Sequence, residues 1–110
     1  MRIISQDGTM DFPYDNSLVF LHENSIKRNT CVEIQLYGGT EIDTVAEYST
    51  EEKALKAMEM LREHNEGVIF LKTIINTEKA TPFVSGLSQT DFNKLTQNYF
   101  QFPQDDEIEV

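Results

Sequence analysis

Cys31-Val32-Glu33-Ile34-Gln35-Leu36-Tyr37, followed at once by Gly38-Gly39, is the stretch that decides the fold. Val32, Ile34 and Leu36 fall on one side of an extended chain, Glu33 and Gln35 on the other, which is the alternation of a half-buried strand. The two glycines supply the positive φ angles that a tight hairpin requires. Glu41 to Tyr48 then reads as the returning strand, with Ile42, Thr44, Ala46 and Tyr48 on one face.

Downstream the period changes. Ser49-Thr50-Glu51-Glu52 has the form of a capping box, Ser49 accepting from the Glu52 amide and Glu52 reaching back to the Ser49 amide. Ala54, Ala57, Met58 and Leu61 follow at i, i+3, i+4 and i+7, a stripe that would lie on the sheet. Glu52 and Lys56 sit four apart on the wet face. Gly67 is placed to end the helix, which spans about Thr50 to Asn65. His64, at its end, would suit the helix dipole. The β-branched and aromatic run Val68 to Ile75 predicts a further strand. Ser88 can cap a second, short helix with Phe92, Leu95, Thr96 and Tyr99 on one face, and Tyr99 to Phe102 alternatively forms a last strand before Pro103.

Upstream, Met1 to Ser5 reads as a short strand ended by the turn Gln6-Asp7-Gly8-Thr9. Met10, Phe12 and Tyr14 return at period two, and Pro13 among them argues for an edge. Ser17 to His22 is a compact strand, and the polar loop Glu23 to Thr30 holds Lys27 and Arg28, the one adjacent basic pair. The expected class is α+β: an antiparallel meander of four or five strands packed against one long helix, with a second short helix near the C-terminus. With 110 residues the chain suits a single domain, residues 1–104, and Asp105, Asp106, Glu107 and Glu109 make 105–110 an acidic, solvated tail.

Composition narrows the function. Nine basic residues against nineteen acidic ones give a formal net charge of −10. A field of that sign opposes binding to nucleic acid and to anionic lipid. No apolar stretch approaches the roughly 20 residues that span a membrane. The opening residues lack the apolar core of a signal peptide, and the lone Cys31 suits a reducing compartment, so a cytoplasmic location is expected.

Nothing in the chain spells out catalysis. His22 and His64 are the only imidazoles, and no zinc-ligand spacing exists, so neither a metal nor a cofactor is expected. Cys31 with His22 could form a nucleophile and base, yet no flanking motif supports it, and a lone cysteine at a strand start is ordinarily a packing residue. Gly38-Gly39 is a turn, not a phosphate loop. Lys27 and Arg28 could neutralise a phosphate, and Phe83 or Tyr99 could stack on a base. Against that stands the plainer role of Phe83, Phe92, Tyr99, Phe100 and Phe102 as core.

Three blocks carry a resemblance. They are Met1-Arg2-Ile3-Ile4-Ser5-Gln6-Asp7-Gly8-Thr9 with Asp11, Pro13 and Tyr14; Ala46-Glu47-Tyr48-Ser49-Thr50-Glu51-Glu52-Lys53-Ala54 running into Ala57 to Arg62; and Phe100-Gln101-Phe102-Pro103 with its acids. In these the chain resembles small proteins encoded by phages and prophages of Gram-positive bacteria. More loosely it is similar to the anti-Thoeris sponges, oligomers that sequester cyclic ADP-ribose signals. The resemblance implies a non-enzymatic anti-defence protein that binds a nucleotide-derived host immune signal, as a homo-oligomer. No ligand-contacting residue carries over from it. The alternative that the charge allows is an acidic inhibitor docked on a basic groove of a host defence protein or nuclease.

Overall fold

The computed structural model describes residues 1–75 and 98–110, with side chains for 1–69 and 98–110. Its strands are β1 (Arg2–Ile4), β2 (Asp11–Pro13), β3 (Ser17–Asn24), β4 (Asn29–Leu36), β5 (Asp43–Tyr48) and β6 (Tyr99–Gln101), and the helix α1 runs Glu51–Ile75. The class is α+β, as expected. The second helix expected from Ser88 lies outside the described residues.

The strands divide between two sheets. β3, β4 and β5 form the antiparallel meander, while β2-β1-β6 is a separate sheet in which β6 runs parallel to β1. Pro13, with no N–H to give, pairs opposite Arg2 on β2, the edge strand of its sheet. Tyr99–Gln101 is thus a strand. Its alternation buries Phe100 and Phe102, whose rings meet edge to face at 5.3 Å.

The β4–β5 connection departs from a two-residue hairpin. Gly38, at φ 79°, occupies the third position of a turn closed by the Gly39 amide donating to the Leu36 carbonyl at 2.9 Å. β5 then starts at Asp43, and a bulge sets Ala46 opposite Val32 but Thr44 opposite Glu33. The extra residue, Val45, breaks the simple alternation: Val45 and Ala46 are both buried, while Ile42 and Thr44 are exposed.

The helix is longer than its sequence signals predict. Gly67 does not end it, and Val68 to Ile75 continue it in place of a strand. A glycine inside a helix costs about 1 kcal/mol, which packing can offset. Val68, at 5% exposure, extends the buried stripe of Ala54, Ala57 and Leu61 by two further turns. His64 is therefore interior to the helix, and its ring lies 5.9 Å from that of Phe100.

The start of α1 also differs. Thr50, not Ser49, is the cap: its Oγ1 accepts from the Lys53 amide at 3.2 Å. Ser49 instead gives both its amide and its hydroxyl to the Asp105 carboxylate, at 2.7 and 3.0 Å. Lys53 Nζ adds donations to the Asp105 carbonyl at 2.9 Å and to Oδ2 at 3.3 Å. The segment read as a solvated tail is anchored in consequence. Asp105–Glu107 form a 3-10 turn, and Ile108 enters the core with Ile3, Val32, Ile34, Tyr48 and Leu61. An isoleucine buried among those residues outweighs the solvation of its acidic neighbours.

Candidate functional site

The β3–β4 turn separates the adjacent basic pair. Asn24 Oδ1 accepts from the amides of Ile26 and Lys27, both at 3.1 Å, and holds the turn in shape. Arg28 closes it at φ 53°, the left-handed region where glycine or asparagine is the easier residue. From there the two side chains diverge. Lys27 Nζ lies 3.5 Å from Glu47 on β5, an exposed pair of little energetic weight.

Arg28 lines a cleft of about 330 Å³ between this turn and the first residues of α1. Asn29 and Thr30 form one side, Ser49 and Thr50 another, and Glu23 and Glu51 stand on the same walls. The opening amides of a helix point outward without intrahelical partners and carry partial positive charge. One guanidinium, the Thr30 and Thr50 hydroxyls, the Asn29 amide and two carboxylates thus line a single space, while the Ser49 hydroxyl is taken up by Asp105. That set suits a ligand with both an anionic group and hydroxyl donors.

The ion pairs set two arginines, Arg28 and Arg62, apart. Arg2 pairs with Asp11 at 2.7 Å, Lys53 with Asp105 at 3.3 Å and Lys56 with Glu59 at 3.9 Å, besides Lys27 with Glu47. Among the described side chains, the cations without a carboxylate within 4.0 Å are Arg28 and Arg62. In a chain with nineteen acids, an unpaired arginine is a charge left available.

Tyr99, a further expected ligand contact, lies apart from this cleft. Tyr99 stands on β6 opposite Arg2, 42% exposed, and is not among the residues lining the Arg28 cleft. Phe83 lies outside the described residues. Cys31 and His22 are opposite each other in the strand register, yet the hydrogen bond of the Cys31 thiol goes to Asn29 Oδ1 at 3.8 Å. The chemistry of the thiol is unfavourable. Burial, with the Glu47 and Glu33 carboxylates nearby, pushes the Cys31 thiol up, which keeps it protonated and a poor nucleophile. Among the described residues no group of three or more histidine, cysteine or acidic side chains could hold a metal ion, and no helix is long and apolar enough to cross a membrane.

Known proteins add no further constraint. The chain matches no protein-family model, no curated protein and no solved structure. The cleft residues Asn29, Thr30, Ser49 and Thr50 were not singled out by sequence as ligand contacts. Asparagine, serine and threonine in turns and caps carry no distinguishing period, and only the fold brings Glu23–Thr30 to Ser49–Glu51.

Proposed function

We propose that this is a non-enzymatic phage or prophage protein that binds and sequesters a small, phosphorylated, nucleotide-derived signal of its host. The observation that carries the reading is Arg28, an unpaired cation held at a left-handed φ of 53° on the wall of a polar cleft. Residues kept in costly backbone conformations cluster where a side chain has a task. The guanidinium offers the forked donors that phosphate oxygens accept. Glu23 and Glu51 repel a bare anion but accept from hydroxyl groups, so the walls favour a sugar phosphate over inorganic phosphate. Lys27 can leave its exposed partner Glu47 to add a second charge.

Enclosure calls for a second wall. Binding sites for such ligands measure roughly 300–1,000 Å³ and bury most of the ligand. A cleft of about 330 Å³ at the small end of that range serves as half a site, completed by a second copy of the chain. Tyr99 reaches the ligand only as that copy's contribution. The test is calorimetric titration with ADP-ribose of the native protein and of the Lys27→Glu, Arg28→Glu double variant. Binding lost in the variant supports the reading; equal binding in both refutes the role given to the pair.

A second reading, an acidic inhibitor of a host defence protein or nuclease, draws on the net charge of −10 and on the exposed Asp106, Glu107 and Glu109. Asp105 is engaged by Ser49 and Lys53 and contributes less. This reading requires binding that weakens steeply with salt and falls when Asp106, Glu107 and Glu109 are neutralised.

A further inference from the structure

At the opposite end of the meander lies a second cleft, of about 420 Å³, where the second unpaired arginine is found. Arg62 on α1 forms one wall, Tyr14 and Tyr37 stand on others, and Val19 and Met58 supply apolar lining. Asp15 also borders it, yet no carboxylate comes within 4.0 Å of the Arg62 guanidinium among the described residues.

Both tyrosines are held by the backbone. The Tyr14 amide donates to the Met1 carbonyl at 3.0 Å, and the Tyr37 amide to the Asn16 carbonyl at 2.9 Å. Tyr37 is 63% exposed, a large aromatic kept in the open beside an apolar lining. Aromatic faces, apolar lining and one unneutralised guanidinium are complementary to a planar ring that carries an anion. We propose that this cleft binds a nucleoside monophosphate, or the nucleoside monophosphate part of a larger ligand. The ring lies against Tyr37 and Tyr14, the phosphate pairs with Arg62, and Asp15 accepts from an exocyclic amino group or a ribose hydroxyl.

The site is independent of the Arg28 cleft. Arg62 lies eleven residues along α1 from Glu51, roughly 16 Å at the helical rise of about 1.5 Å per residue. One mononucleotide does not reach both arginines, so either site can fail without the other.

The experiment is titration of the isotopically labelled protein with AMP, GMP, CMP and UMP, and with adenosine, followed by amide chemical shifts. At least one monophosphate is expected to shift the signals of Tyr14, Tyr37 and Arg62 while leaving Arg28 unmoved. Arg62→Gln should weaken that binding roughly tenfold, as loss of a charge-assisted contact does, and should leave adenosine binding unchanged. Tyr37→Ala, at an exposed position, should weaken both. No shift at this cleft with any of the four monophosphates, shifts confined to the Arg28 cleft, or equal affinity in Arg62→Gln would each overturn the proposal.

Discussion

The side chain of Gln6 pairs with the backbone of Glu47 as a neighbouring strand would. The Glu47 amide donates to Gln6 Oε1 at 3.0 Å, and Gln6 Nε2 donates to the Glu47 carbonyl at 3.2 Å. The Gln6 amide adds a donation to the Val45 carbonyl at 2.7 Å, and Nε2 also reaches the Pro103 carbonyl at 3.0 Å. β5 is an edge of its sheet, so Gln6 occupies backbone groups that would otherwise lie open, and it ties the two sheets together. Gln6→Ala should destabilise the fold by about 3 kcal/mol, given about 1 kcal/mol for each of the three side-chain hydrogen bonds lost. Urea unfolding checks this, with a lowered midpoint at unchanged slope.

The C-terminal residues are expected to be structural. Ile108→Ala should cost about 2 kcal/mol or more, the usual range for emptying a buried isoleucine site. Removal of 105–110 should cost more still, because it also frees Ser49 and Lys53 from Asp105. Thermal unfolding of the two variants tests this; unchanged midpoints would mean the segment is the solvated tail its composition implies.

Acid should loosen the turn after β1. Asp7 Oδ1 accepts from the Ser5 and Thr9 hydroxyls, both at 2.7 Å, and from the Thr9 amide at 3.0 Å. These bonds lower its pKa to about 2 from an ordinary 3.8. A carboxylate depressed in the folded state stabilises it above the unfolded pKa, and that contribution fades as pH falls from 3.8 toward 2. Asp7→Asn should flatten the pH dependence of stability across that window.

At the alkaline end the sign reverses. The Tyr48 hydroxyl donates to the Pro103 carbonyl at 2.8 Å, and burial, with Asp105 and Glu107 nearby, pushes its pKa up. The unfolded chain ionises this tyrosine above about pH 10 while the folded one does not, so stability should fall there. Tyr48→Phe should lose about 1 kcal/mol at neutral pH yet lessen the alkaline decline.

Arg28 should show opposed effects on stability and binding. Asparagine tolerates the left-handed conformation better, so Arg28→Asn should raise stability by about 0.5 kcal/mol while removing the phosphate contact. A variant that is both less stable and still binds would contradict the role given to Arg28.

Much of the sheet was legible in the sequence because alternation reports burial directly: Val32 and Ile34 are in the core, and Pro13 marks an edge. The Val45 bulge was not, since the adjacent apolar pair Val45-Ala46 reads equally well as an unbroken strand with one of the two facing outward. The passage of α1 through Gly67 was hidden for a related reason. Local propensity favours a stop there, and the burial of Val68 is visible only once the sheet is in place. For the site, the Lys27-Arg28 pair was legible as charge. Its partners were not, because Glu23–Thr30 and Ser49–Glu51 meet only through the meander, and Lys27 turns away to Glu47.

The most direct test of the central claim is native mass spectrometry of the protein and of Arg28→Glu, after incubation with extract from host cells whose immune signalling has been activated. The account predicts a small added mass on an oligomer of the native chain, released unaltered by heat and absent from the variant. An unchanged spectrum for the native protein, or the same added mass on both, would contradict it.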